Sequence, residues 1–496
     1  MEPAVSRLRG GGGFGIVRGM VFSSLTFLFM FLPVLLAVYY AVPARHRNAV
    51  ALAGSAFFYA WGAPRFVIVL FASGLADYGL SRELPEGKRS PGARRGILGV
   101  AVAMNVALLL YFKYANFFVE ELNAWLARLG GSGVSWTAVA LPVGISFFTF
   151  QKLSYLVDVY RGTARPARNA GDYLLYVALF PQLIAGPIVR YHDVAQQLIS
   201  RDYTRERFFT GMLRFCQGLG KKVLVANTMA EVADAAFGAA PASLSLGWAW
   251  LGVVAYAFQI YFDFSGYSDM AIGLGRLMGI EFLENFNRPY VSRSITEFWR
   301  RWHISLSNWM REYLYIPLGG NRKGTGRTYF NLWAVFLISG FWHGAAWNFV
   351  AWGAFHGFFL CVDKLLKGTR AERAPGWIGL PVTFVLVLFS WVLFRADSLA
   401  HAVDYMARMT AGFGALTVGA ASIPFDLRHQ AVLAAGLVLC FGPAIHPHPF
   451  DFMRLEPAAA TVRQLAGRFA VAMLLFIWSA ATLATSTFNP FIYFRF

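Results

Sequence analysis

The sequence predicts an all-α fold, a polytopic helical membrane protein with roughly eleven crossings. Three observations carry that prediction. Of the 496 residues, 57% are hydrophobic and only 14% are charged, whereas soluble globular chains carry about 25% charged residues. The apolar residues arrive in blocks of roughly twenty, enough to span a hydrocarbon core about 30 Å thick. The basic residues gather in short connections between those blocks, as the positive-inside rule requires.

Taken in order, the blocks include Val21–Val42, Gly96–Tyr111, Trp248–Phe262, Phe330–Leu360, Trp377–Phe394 and Phe469–Leu483. The connection "RELPEGKRSPGARR" (Arg82–Arg95) reads as a solvated cytoplasmic loop, and "GGNRKGTGR" (Gly319–Arg327) is its counterpart later in the chain. The net charge is +18. In a soluble protein that would suggest nucleic acid, but loop placement argues for anionic lipid headgroups or an anionic donor instead. Cys216, Cys361 and Cys440 are far apart and read as small apolar fillers rather than a disulfide or zinc set.

Residues 1–19 are Gly-rich and carry Arg7, Arg9 and Arg18, unlike the apolar block that begins at Met20. They read as a disordered extension ahead of a start at Met20. Arg45 and Arg47 place the first loop in the cytoplasm, and the extension's arginines argue the other way. Residues 20–496 read as one membrane domain with its chemistry concentrated at about 281–366.

Two polar interludes break the apolar pattern. The stretch 190–227 mixes charge with apolar residues and reads as an amphipathic helix at the interface. The stretch 281–327 contains "SITEFWRRWHISLSNWMREYLYIPLGG" (Ser294–Gly320). Ser294 or Thr296 can cap a helix that starts near Glu297. At 100° per residue, Trp299, Trp302, Leu306, Trp309 and Tyr313 share one face, and Arg300, Arg301, Asn308, Arg311 and Glu312 share the other. His303 falls about 40° from Trp299, so it points with the aromatic side. Pro317, Gly319 and Gly320 end this helix.

His343, in "GFWHGAAWNF" (Gly340–Phe349), lies inside an apolar block. An ionisable group within a membrane segment is costly unless it serves a purpose, and neutral imidazole is poised to take a proton. His356, about 220° further round a continuous helix, suits a structural or pore-lining place. His192, His401, His446 and His448 read as solvated. Asp263 and Asp269 are roughly 240° apart on a helix and form no dyad. Each needs a cation, from 288–301, or an aqueous route. Gly273–Gly279 ("GLGRLMG") and Gly218–Lys222 ("GLGKK") fit no nucleotide-binding spacing and read as helix-packing sites. Neither a GxSxG elbow nor an HExxH motif occurs.

Two long stretches, Asn285–Arg322 ("NFNRPYVSRSITEFWRRWHISLSNWMREYLYIPLGGNR") and Ser339–Gly357 ("SGFWHGAAWNFVAWGAFHG"), resemble the membrane-bound O-acyltransferases. Within that family they are most similar to the bacterial branch that supplies acetyl groups to exopolysaccharides, the alginate O-acetyltransferase membrane-subunit type. "FKYANFF" (Phe112–Phe118), "LPVGISFFTFQKLSYLVDVYRG" (Leu141–Gly162), "LFPQLIAGPIVRY" (Leu179–Tyr191) and the closing "NPFIYFRF" extend the likeness from Met20 to Phe496.

The resemblance implies a ring of helices with short re-entrant pieces around a central tunnel, in the bacterial inner membrane. The family's invariant histidine falls on His343, and its second polar residue, about forty positions earlier, on His303. It implies acyl transfer from a cytoplasmic thioester, acetyl-CoA or an acyl carrier protein, to a hydroxyl on the far side, with a periplasmic acetyltransferase as partner. His343 would be the base, and His303 would orient the thioester carbonyl or stabilise the oxyanion. Trp342, Asn287 and Tyr290 would line the tunnel. Arg300 and Arg301 would hold donor phosphates, and no metal or bound cofactor is required. A D-alanyl or cell-wall acyl donor subunit, an ion-coupled transporter built on Asp263 and Asp269, and a scaffold for a periplasmic enzyme are the alternatives.

Overall fold

The computed structural model describes residues 20–369, 375–411, 422–445, 461–486 and 489. The expectations for residues 1–19, for His446 and His448, and for most of the closing "NPFIYFRF" lie outside these. Among the described residues the fold is helical, with no strand. Its described residues divide into two compact units, one within 1–21 and 37–180 and one within 22–36 and 181–496.

The first unit contains α1 (Arg47–Gly62), α2 (Phe66–Ser81), α3 (Pro91–Leu109), α4 (Ile145–Arg161) and α5 (Ala170–Ala178). The basic connection is shorter than the sequence suggested. Ser90 Oγ accepts from Ala93 N, and Pro91 takes the first helical position, where its fixed φ is already helical and its missing N–H is no loss. Where α2, α3 and α4 meet, Lys152 pairs with Asp77 at 3.0 Å with both side chains fully buried. Asn105 donates to Asp77 at 2.8 Å and Lys152 donates to Ser73 at 2.8 Å. A buried ion pair needs such added hydrogen bonds to offset desolvation.

The second unit contains α6 (Arg205–Gly220), α7 (Asn227–Gly238), α8 (Leu246–Leu277), α9 (Ile295–Arg301), α10 (Ile304–Met310), α11 (Thr325–His343), α12 (Trp347–Leu366), α13 (Gly376–Arg395), α14 (Leu399–Met409), α15 (Leu427–Ile445) and α16 (Val462–Thr485). The stretch 190–227 is not one interfacial helix. It folds as Tyr191–Ile199, then α6, then a wider π turn at Lys221–Ala226. α6 lies along α8, backbone to backbone. A Cβ on Gly218 would stand 2.5 Å from the Gly266 carbonyl oxygen, and one on Gly273 2.6 Å from that of Gly211. The two glycine patterns are therefore packing sites, as their spacing suggested.

The same helix pair explains the charges. Asp269 receives Arg214 at 2.6 Å and Lys221 at 2.6 Å, and Lys222 meets Asp263 at 2.7 Å. Both carboxylates are structurally paired, and the correction concerns the partners. The cations come from α6 and the π turn after it, not from 288–301. Sequence distance hid this, because the charges of the 190–227 stretch look solvated until α8 supplies the acids.

Four described helical segments are long and apolar enough to cross a bilayer: Pro91–Arg128, α12, α13 and α16. Three shorter apolar helices occur at Phe27–Ala41, Phe66–Ser81 and Leu427–Gly442. The apolar block Phe330–Leu360 folds as two helices, α11 and α12, and not as one. The three cysteines are buried and form no disulfide.

Candidate active site

The expected helix through 297–313 is broken at its histidine. Ser294 Oγ accepts from Glu297 N and starts α9. α9 ends at Arg301, and α10 resumes at Ile304. Between them His303 adopts φ 45° and ψ 54°, a left-handed conformation that it shares, among described non-glycine residues, with Arg288. Such a conformation costs about 1–3 kcal/mol and persists only where surroundings enforce it. Here the enforcement comes from residues 285–287. Ile304 N donates to the Asn285 carbonyl at 2.9 Å, and Asn287 N donates to the Arg301 carbonyl at 2.8 Å.

The break rotates the register, yet the aromatic side survives it. Trp299, Trp302, Leu306 and Trp309 are all buried. His303 is 1% exposed, edge-on to Phe264 at 4.7 Å. Its Nδ1 lies 3.2 Å from Asn285 Oδ1, which also accepts from Ser305 N at 3.2 Å and Ser305 Oγ at 2.9 Å. Ser305 Oγ in turn accepts from Ile188 N at 2.9 Å, which ties the "GPIVR" segment to this turn.

The second break falls one residue after His343. α11 ends there, residues 344–346 turn, and α12 begins at Trp347. Gly344 is required at the turn because the Phe349 ring occupies the space of any Cβ. α11 and α12 then run back along each other as a hairpin. This corrects the placement of His356, which assumed one continuous helix. With the turn, His343 and His356 both lie against Trp352, at 4.9 Å in each case. His356 Nδ1 accepts from Trp299 Nε1 at 3.2 Å, a structural role. His401 is another correction: it is half-buried on α14, its ring against Phe237 and Tyr405, and not solvated. His192 is exposed, as expected.

His343 sits in an aromatic cage, with Trp342 at 4.7 Å, Trp352 at 4.9 Å and Phe394 at 5.3 Å. Asn348 holds Phe394 in place by donating to the Leu393 and Ala396 carbonyls at 3.2 and 2.9 Å. A path of rings joins the two histidines. From His303 it runs through Phe264, Trp302 (6.4 Å on), Trp391 (5.0 Å), Phe394 (5.6 Å) and then His343. Tyr290 belongs to this cluster. Its hydroxyl donates to the Ala257 carbonyl at 2.6 Å and accepts from Trp391 Nε1 at 3.2 Å. Trp342 is buried beside His343.

Asn287 and Arg301 lie elsewhere, in a cavity of about 730 Å³ that Arg288, Arg293, Glu297 and Trp377 also line. Arg301 is held by Glu297 at 2.8 Å. Arg300 is exposed on α9 and is not among the lining residues. Sequence reasoning missed Asn285, Trp352, Arg288 and Arg293. Only the paired asparagines of "ENFNRP" hinted at a special turn.

A helical chain with apolar spanning segments defines a multi-pass membrane protein, here with two buried histidines held at helix breaks. Comparison with known proteins places it further. The model of the membrane-bound O-acyltransferase family matches residues 168–400. The chain is 43% identical to the probable alginate O-acetylase AlgI of Pseudomonas putida over 493 residues, covering 96% of this chain and 100% of the other. It is 36% identical to the peptidoglycan O-acetyltransferase of Helicobacter pylori, covering 79% of this chain and 80% of that one. Against the teichoic acid D-alanyltransferase of Streptococcus thermophilus the identity is 28%, over 60% of this chain and 84% of that one. The chain belongs to the membrane-bound O-acyltransferase family and is an O-acyltransferase.

Proposed function

We propose that this chain passes an acetyl group from a cytoplasmic thioester, acetyl-CoA or an acylated carrier protein, across the bacterial inner membrane for O-acetylation of an exported alginate-like polysaccharide. A periplasmic acetyltransferase works with it on the far side, and anionic lipids bind its basic connections. The observation that carries the reading is His343, a buried imidazole caged by three aromatic rings at the end of α11.

His343 takes the proton from the acceptor hydroxyl, which is a poor nucleophile until it is deprotonated. The oxygen attacks the thioester carbonyl, the C–S bond breaks, and the proton passes on to the leaving thiolate. His303 orients the reacting groups, the cage of Trp342 and Tyr290's neighbours excludes water, and the cavity with Asn287 and Arg301 receives donor phosphates, with Arg300 contributing at longer range. The chemistry calls on no metal and no bound cofactor. Full-length similarity to the alginate O-acetylases favours a polysaccharide over cell-wall D-alanylation. The ion pairing of Asp263 and Asp269 disfavours a transporter.

The test is transfer of labelled acetyl from acetyl-CoA in proteoliposomes with the candidate periplasmic partner. His343→Ala is expected to insert normally and transfer nothing. Transfer at the wild-type rate by that variant overturns the reading.

A further inference from the structure

We infer that Asn285 is the positioning residue for His303, fixing its ring in the Nδ1–H form and leaving the Nε2 lone pair as the atom offered to substrate. This rests on the acyl-transfer reading above and narrows what His303 does within it.

The assignment rests on which groups can donate. Ser305 N points at the Asn285 side-chain atom from 3.2 Å. A backbone N–H only donates, so that atom is the amide oxygen and not the nitrogen. Ser305 Oγ lies 2.9 Å from the same oxygen. Because that atom is an oxygen, Ser305 Oγ donates to it, while a lone pair of Ser305 Oγ accepts from Ile188 N. The oxygen facing His303 Nδ1 at 3.2 Å is therefore an acceptor. An Nδ1 lone pair turned against it would be repelled, so Nδ1 carries the proton. In neutral imidazole the other nitrogen is then an acceptor.

That Nε2 is buried and has no hydrogen-bond partner among the described residues. A buried acceptor without a partner is uncommon and calls for an explanation. The left-handed backbone at 303 is held between the Ile304 N–Asn285 and Asn287 N–Arg301 hydrogen bonds, and Phe264 closes one side of the ring. On the acyl-transfer reading, its partner is a hydrogen-bond donor on the substrate, an O–H or N–H. While neutral, His303 cannot donate to an oxyanion, so its contribution is to receive and orient.

The experiment measures initial rates against acetyl-CoA concentration in proteoliposomes with the candidate periplasmic partner as acceptor. Asn285→Asp keeps an oxygen facing Nδ1–H, and its kcat is expected within about threefold of wild type. Asn285→Leu removes that oxygen, and kcat is expected to fall about tenfold to a hundredfold with KM for acetyl-CoA moved less than about twofold. In a His303→Ala background, Asn285→Leu is expected to cost nothing further. If the leucine variant does not insert, Asn285→Ser, too short to reach the ring, replaces it.

Equal losses in both backgrounds, a loss confined to KM, or no rescue by Asp each overturn the inference. The two readings fail separately. Full activity in His303→Ala removes the part proposed for His303. An inactive His303→Ala beside a fully active Asn285→Leu removes only the positioning claim.

Discussion

Gly340 of α11 and Gly353 of α12 face each other so closely that a Cβ on Gly340 would stand 3.0 Å from the Gly353 Cα. The same Cβ would run into the Phe349 carbonyl oxygen, and one on Gly353 into the Phe336 carbonyl oxygen. This contact closes the hairpin whose turn carries His343.

Gly340→Val is therefore expected to push the helices apart. Overpacking of this kind costs about 1–3 kcal/mol. The displacement of His343 should matter more, since misplacement by about 1 Å can cost about 10²-fold in rate. Thermal unfolding in detergent and acetyl transfer in proteoliposomes, measured on one preparation, separate the two effects. A variant that is destabilised yet fully active would show that the hairpin does not set the histidine.

Lys152 and Asp77 give a prediction for the first unit. Lys152→Met leaves a buried carboxylate without its cation, and breaking such a pair costs about 3–5 kcal/mol. The double variant Asp77→Leu/Lys152→Met removes both charges and is expected to regain most of that loss. Denaturant unfolding of the four proteins of this cycle checks the sign.

Asp269 is expected to behave as a structural ion and not as a relay. Asp269→Asn should lower the yield of folded protein, because Arg214 and Lys221 lose their shared charge. It should leave passive proton flux unchanged, as read by a pH-sensitive dye in proteoliposomes. Flux in the wild type that disappears in the variant would revive the transporter reading.

The arginine-lined cavity should show itself in KM. Replacing Arg293 and Arg301 together by Ala is expected to raise KM for acetyl-CoA about tenfold, equivalent to about 1.4 kcal/mol, with kcat little changed. Arg300→Ala, on the exposed side of α9, should have a much smaller effect. The difference should shrink as salt rises.

Much of this geometry was legible in the sequence. His343 stood out because titratable groups are expensive inside apolar blocks, and His303 because helical spacing set it among tryptophans. Ser294 as a cap and the paired state of both aspartates also came from local chemistry. The misses share one physical cause. Helical-wheel reasoning assumes an unbroken helix. It kept the aromatic side of 299–309 but missed the breaks at His303, where Asn285 and Asn287 hold the turn, and at Gly344. The partners of Asp263 and Asp269 were invisible for the same reason, since nothing near them in the chain identifies α6 as their neighbour.

The backbone at position 303 has a thermodynamic consequence of its own. Glycine, and after it asparagine and aspartate, are the residues that visit the left-handed region routinely. For stability alone, His303 is the wrong residue there, and His303→Asn is expected to melt at a higher temperature than wild type. If it does so while losing transfer, then this turn holds a loaded spring, with conformational free energy kept in reserve so that one imidazole can face the reaction.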